Sequence, residues 1–274
     1  MSFNTRLRET IKKTSMLCVG LDPVLEKLPT HLQTSSEPFF EFNKAIIDAT
    51  HDLVCGYKPN SAFYEARGAE GIAELKKTCD YIKDTYPESL IFFDAKRGDI
   101  GSTNESYAKF VFEHLRADAV TLHPYTGREG LQSFLKYDKG CIILCRTSNP
   151  GSDELQGLLV DGKPLYQRVA EKVSADWNTN DNCMLVVGAT YPAELAEVRA
   201  LVGDLPILAP GIGAQGGSLA DTLKAGLTAE KAGLVIPLSR SVIYASAAED
   251  FAQKSREEIE KTLTQITTLR SLAQ

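Results

Sequence analysis

Three charged side chains able to do acid–base chemistry fall within six positions in the run Ile91-Phe92-Phe93-Asp94-Ala95-Lys96-Arg97-Gly98-Asp99-Ile100-Gly101-Ser102-Thr103. The apolar start of this run reads as a buried strand. Strand alternation then puts Asp94 and Lys96 on the same side, and Asp99 follows after one turn of loop. A lysine held between two carboxylates keeps its proton, so it is a poor nucleophile and a good proton donor. It suits a step in which negative charge appears on a carbon and has to be quenched. The competing reading is a salt-bridged loop in which Lys96 and Arg97 merely neutralise the acids.

Such a cluster needs a scaffold. Eight short, continuously apolar runs occur along the chain: Met16–Leu21, Leu53–Tyr57, Leu90–Phe93, Ala119–Leu122, Cys141–Cys145, Met184–Gly188, Pro206–Ala209 and Gly233–Pro237. Runs of this kind are expected of parallel strands buried on both faces. Amphipathic stretches separate them at Glu37–His51, Gly71–Ile82, Glu105–Leu115, Pro164–Trp177, Pro192–Val202 and Ser218–Ala225, and Ala248–Leu272 closes the chain. Alternation of this kind predicts an α/β fold, a single-domain (β/α)8 TIM barrel over residues 1–274, with a doubly wound open sheet as the alternative. No linker, low-complexity tract or fixed-period repeat divides it.

A barrel carries its chemistry on the loops that follow its strands. Here those exits read Asp22-Pro23, Lys58-Pro59-Asn60, the Asp94–Asp99 cluster, His123-Pro124-Tyr125, Arg146-Thr147-Ser148-Asn149, Ala189-Thr190, Pro210-Gly211 and Ser239-Arg240. So many charges at one mouth are costly unless they pair or meet a charged ligand. Gly211-x-Gly213-x-x-Gly216 matches a dinucleotide fingerprint, but that motif wants an acid at the end of the next strand. Leu238-Ser239-Arg240 stands there instead. A cation suits a phosphate, held with the glycine N–H groups and a helix starting near Ser218. A plain glycine turn is the remaining reading. Taken by itself, Ser148 before the Asn149-Pro150-Gly151 turn reads as a loop-capping hydroxyl ahead of a ligand contact, and His123 beside Pro124 reads as structural.

The spaced set Asp94-x-Lys96-x-x-Asp99-Ile100, with Thr103 after it, resembles the catalytic signature of the orotidine 5′-phosphate decarboxylase family. Five further motifs share the resemblance in order: Leu21-Asp22-Pro23, Tyr57-Lys58-Pro59-Asn60, Thr147-Ser148-Asn149-Pro150-Gly151, Pro210-Gly211-Ile212-Gly213-Ala214-Gln215-Gly216-Gly217 and Ser239-Arg240-Ser241. The stretch from Lys96 to Thr103 looks like the longer, bacterial-type branch. The resemblance implies decarboxylation of orotidine 5′-monophosphate to UMP in pyrimidine biosynthesis, without cofactor or metal, by a cytoplasmic homodimer. By motif, Lys96 would protonate the C6 carbanion and Asp94 would lie beside the departing carboxylate. Asp99, with Ile100 and Thr103, would enter the neighbouring subunit's site. Asp22 and Lys58 would contact the ribose, and Ser148 the pyrimidine amide. Gln215 would lie across pyrimidine and phosphate, and Arg240 would pair with the phosphate. Two other readings remain: a metal-dependent sugar-phosphate lyase or aldolase sharing Asp-x-Lys-x-x-Asp, and an inactive nucleotide-binding barrel.

Composition narrows the classes. The 274 residues carry 30 Lys plus Arg against 36 Asp plus Glu, a net charge of −6, with no basic block, which argues against nucleic-acid or membrane-surface binding. No run of about 18 apolar residues occurs, and Met1–Met16 is polar and charged with no signal-like apolar stretch. The six cysteines form no CxxC pair and read as buried, reduced thiols; Cys141 and Cys145 share a strand face, which is core spacing before it is metal spacing. No Ser-His-Asp arrangement and no H-E-x-x-H can be assembled.

Overall fold

The computed structural model describes residues 1–213 and 216–272. Within them, eight parallel strands close into a barrel in chain order: β1 (Leu17–Leu21), β2 (Gly56–Pro59), β3 (Leu90–Arg97), β4 (Ala119–Leu122), β5 (Gly140–Arg146), β6 (Cys183–Val187), β7 (Ile207–Leu208) and β8 (Leu234–Leu238). The protein is therefore a single α/β domain, a TIM barrel. The strands are mostly apolar because both faces are buried, and their charged residues gather toward the C-terminal ends of β2, β3 and β5. Val19, Ile91, Phe93, Ile143 and Leu185 pack outward under the helices, while Cys18, Phe92, Ile142, Leu144, Met184 and Val186 fill the interior. All six cysteines are free and buried.

The barrel floor is closed by a helix absent from the sequence reading, Phe3–Lys13. Ser2 caps it by accepting the Thr5 N–H, and Lys12 and Lys13 end it against the helix dipole. Its Phe3 and Leu7 join the interior cluster, with Ile11 packed beside them. Burying side chains of that size contributes about 1.5–3 kcal/mol each. The spacing 3, 7, 11 is a helical stripe, hidden by the charges between.

The helix Gly127–Leu135 after β4 and the short helix Ser61–Glu65 after β2 were not expected either, and the other differences lie mainly at element ends. The second strand begins at Gly56, not Leu53, because Leu53 closes a turn onto Thr50 O (3.0 Å). The seventh shrinks to two residues. The helix expected from Pro164 starts at Leu165, behind a small hairpin pairing Leu159–Val160 with Lys163–Pro164. Asp161 and Gly162 turn that hairpin with φ of 50° and 76°, the left-handed pair a two-residue hairpin loop demands. Proline opens the helices Pro38–Thr50 and Pro192–Val202, where its missing N–H is no loss. The last helix, expected from Ala248, spans Phe251–Leu272 and buries Phe251, Ile259 and Ile266, with Leu263, spaced for the same face, only partly buried.

Candidate active site

The mouth is organised around Asp94. Its side chain is 8% exposed and accepts four hydrogen bonds. Oδ2 takes Lys58 Nζ at 2.6 Å and Asn60 Nδ2 at 3.3 Å; Oδ1 takes Lys96 Nζ at 2.7 Å and Thr121 Oγ1 at 2.9 Å. Burial alone would push the carboxyl up, but Lys58 and Lys96 outweigh it and hold Asp94 well below the usual carboxylate range. Burial likewise pulls Lys58 down, and Asp94 and Asp22 more than offset this and hold it above the ordinary lysine value. Both groups stay charged at neutral pH.

Plain alternation is not what turns Asp94 and Lys96 to the same side. Phe93 pairs with Val120 and Arg97 with Leu122, so the chain takes four steps in β3 where β4 takes two. Lys96 stands in the resulting bulge with φ 47°, in the left-handed region that non-glycine residues rarely enter. Strain of that kind costs about 1–3 kcal/mol and needs support from outside the segment. Thr121 supplies it: its hydroxyl oxygen accepts the Lys96 N–H at 2.9 Å while its proton goes to Asp94. Thr121 was missed as a site residue. Its signal was one hydroxyl inside the apolar run Ala119–Leu122.

Around this array lies a cleft of about 300 Å³ that brings together Asp22, Lys58, Asp94, Lys96, Ser148, Gly211 and Arg240. Asp22 Oδ2 accepts Ser239 Oγ at 2.6 Å, while its Oδ1 is buried with no partner, an acceptor suited to a hydroxyl donor. Ser148 is held by close approach to Gly188, where a Cβ would stand 3.0 Å from the serine's own Cβ. Gln156 ties down the same loop through Thr147, accepting its N–H at 2.9 Å. Arg240 is exposed and opens the short helix Arg240–Ile243.

Other predicted residues sit apart from the cleft. The Asp99 carboxylate caps its own turn, accepting the Ile100 N–H at 2.7 Å, and among the described residues Lys96 Nζ pairs only with Asp94. The arrangement within this chain is thus one carboxylate between two lysines, not a lysine between two carboxylates. Ile100, 61% exposed, and Thr103, in the first turn of the helix Gly101–Lys109 that follows, are both exposed. Gly211, Gly213 and Gly216 all take positive φ, of 108°, 74° and 87°. The N–H groups of Gly213, Gly216 and Gly217 are not bare, as the sequence reading had them. They donate to carbonyls inside the loop, to Gly217, Gly213 and Gly211 respectively. Ser218 caps the next helix by accepting the Asp221 N–H. Gln215 lies outside the described residues. His123 stands close enough that burial and then Lys96 push its pKa down. No group of three metal-ligating side chains occurs among the described residues, and no described helix is long and apolar enough to cross a membrane.

Comparison with known proteins gives the chain's family. The chain is 52% identical over 260 residues to the orotidine 5′-phosphate decarboxylase of Cellvibrio japonicus, covering 93% of this chain and 94% of that protein. It is 53% identical over 258 residues to that of Azoarcus sp. (93% and 95%). Its fold superposes with a TM-score of 0.82 on the OMP decarboxylase of Leishmania donovani, at 42% identity and 95% and 98% coverage. The TM-score is 0.84 on the UMP synthase of the same organism, at 44% identity; 95% of this chain is covered, and it spans 56% of that longer chain. Residues 15–254 match the model of one family, and that span holds the whole strand barrel and every charged group of its mouth: the chain belongs to the orotidine 5′-phosphate decarboxylase / HUMPS family.

Proposed function

We propose that this chain is an orotidine 5′-phosphate decarboxylase, releasing CO2 from orotidine 5′-monophosphate to give UMP, and that it works as a homodimer with shared sites. The observation that carries the reading is the Lys58–Asp94–Lys96 array, charged and prepositioned at the barrel mouth. The substrate carboxylate lies beside Asp94. The C6–carboxylate bond breaks, its electron pair stays on C6, and Lys96 Nζ delivers a proton there. Lys96 stabilises the developing charge before it transfers the proton, which is electrostatic preorganisation. Asp22, through its unpartnered oxygen, and Lys58 engage the ribose hydroxyls. Ser148 bonds the pyrimidine amide, and Gln215 and Arg240 take the phosphate end, with Gly211, Gly213 and Gly216 shaping the loop.

The direct test is turnover of orotidine 5′-monophosphate by purified protein in EDTA, followed as loss of orotate absorbance. Activity is expected to persist. Activity that vanishes with EDTA and returns with magnesium would favour the sugar-phosphate reading, and UMP binding without turnover an inactive barrel.

The dimer has its own test. Asp99 and Ile100, with Thr103 in the first turn of the helix Gly101–Lys109 that follows, form an outward segment whose exposed isoleucine suits burial against a second copy. A two-fold contact lets each subunit lend that loop to the other. Inactive Lys96→Ala and Asp99→Ala chains, mixed, dissociated and reassociated, are expected to recover roughly a quarter of wild-type sites, because each mixed dimer has one intact site. A mixture as dead as its parents, with exchange confirmed by mass, places Asp99 in its own subunit's site.

A further inference from the structure

A second charged cavity lies at the other end of the barrel, where strands begin. Asp118, directly before β4, has its carboxylate buried and accepts the Ile91 N–H at 2.9 Å. Three cations converge on it: Arg6 Nη2 at 3.3 Å, Lys139 Nζ at 3.6 Å, and Lys83 Nζ in closer contact. One carboxylate cannot neutralise three cations, and two positive charges are left over. The other charges nearby do not make up the difference. Glu88 is engaged by Lys13 at 2.8 Å, and Arg116 by Asp84 at 2.8 Å.

Two further observations mark the surplus as unspent. Arg6 Nε and Nη2 are buried without a hydrogen-bond partner, although Nη2 lies near Asp118. These cations line a cavity of about 370 Å³ together with Arg116. Burial, reinforced by Arg6 and Lys83, also pushes Lys139 below the ordinary lysine pKa despite Asp118, as expected of a cation with too few anions around it. A pure structural staple needs one cation per carboxylate, since each extra buried charge costs desolvation and repulsion. In a chain of net charge −6 this local excess calls for an anion with paired oxygen acceptors.

We propose that this floor cavity is a binding site for a small phosphate-bearing anion, separate from the phosphate grip at the mouth. The Arg6 guanidinium and the ammonium groups of Lys83 and Lys139 line the cavity together, a set of cationic donors matched to the oxygens of a phosphate or diphosphate group.

The test is calorimetric titration with inorganic pyrophosphate, and in parallel with a nucleoside diphosphate, into wild type, Arg6→Ala, Lys139→Ala and Arg240→Ala. Preference for pyrophosphate would identify a free anion, and preference for the diphosphate a nucleotide-borne one. Either floor variant is expected to weaken binding more than about tenfold, while Arg240→Ala leaves a binding event intact. Asp118 keeps two cations in each floor variant, so the fold is retained. Without the anion, Lys139→Ala is expected to melt no lower than wild type; with it, wild type and Arg240→Ala gain more Tm than either floor variant. The proposal is overturned if wild type binds neither probe at millimolar concentration, or if binding is lost in Arg240→Ala and kept in both floor variants. A Lys139→Ala protein that melts well below wild type in anion-free buffer also overturns it, because the lysine is then part of a staple.

Discussion

Neighbouring strands carry two buried aspartates, each gripped by lysines, at opposite ends of one barrel. At the mouth, Asp94 accepts from Lys58, Asn60, Lys96 and Thr121, and one of its lysines reaches a cleft from a left-handed residue. At the floor, Asp118 accepts a backbone N–H of β3 and meets cations from three separate segments. A carboxylate with cationic neighbours is therefore not by itself a sign of catalysis. What sets the mouth apart is that its left-handed residue, Lys96, itself pairs with the acid, that a neighbouring strand's hydroxyl supports that residue's backbone, and that an unpartnered oxygen of Asp22 belongs to the same cleft. The floor has more charge, and its left-handed residue, Arg116 at φ 58°, pairs with Asp84 and not with the floor's acid.

Four measurements can break or sharpen that contrast. The largest effect is expected of Lys96→Ala, which removes the proton donor and the preset positive charge together. Its kcat should fall by more than the roughly 10²–10⁴-fold usual for a general acid, with little change in Tm. A variant keeping a tenth of the activity would reduce Lys96 to a salt-bridge partner. Next is Asp118→Ala, which strands three cations. It should lower unfolding free energy by about 3 kcal/mol, read by denaturant titration, with kcat unchanged once folded. A lost kcat at full stability would erase the division between the two ends. Thr121→Val comes third. It leaves the Lys96 N–H without an acceptor, at a cost of about 1–3 kcal/mol, and lets the lysine shift. A fall in kcat of roughly ten- to a hundredfold is expected, with Thr121→Ser recovering most of it; equal kcat in all three would show that the bulge needs no support.

The smallest effect is in the alkaline limb of stability, where the two ends have opposite signs. Lys58 is raised in the folded state, so its contribution is full below the unfolded lysine value near 10.4 and is lost as pH climbs through the folded one. Lys139 is lowered, so between its folded value and about 10.4 the unfolded chain holds the extra proton and stability rises with pH. In anion-free buffer, Lys139→Met should therefore lose Tm more steeply than wild type as pH approaches 10. Parallel curves would mean that its burial carries no charge penalty. On the acid side Asp94 is depressed. Its stabilisation is present above the ordinary carboxylate value near 3.9 and disappears as pH falls through the folded one.

The barrel was legible because eight apolar runs alternate with amphipathic ones, a pattern set by burial on two faces. The floor helix was not, because Phe3, Leu7 and Ile11 are a narrow stripe among charges and their partners are strands far along the chain. At the site, Asp94, Lys96, Lys58 and Asp22 could be read from strand exits, since exits of a barrel converge on one mouth. Thr121 could not, because its role depends on the offset between β3 and β4, which is a property of two strands and not of either. The same holds for the donors of the glycine loop. Sequence marks where φ is free, but only the folded loop shows that Gly213, Gly216 and Gly217 have already given their N–H groups to one another's carbonyls.

The two surplus residues of β3 also bear on how such a barrel can change. Below the offset, Phe92 and Phe93 lie in register with Ala119 and Val120, and the ladder resumes at Arg97 and Leu122. A chain shortened by two positions between Phe93 and Arg97 could keep the ladder regular, relieve the left-handed residue and lose the proton donor at once. Selection for thermal robustness alone would drift toward that silent barrel, and selection for turnover holds the irregularity open.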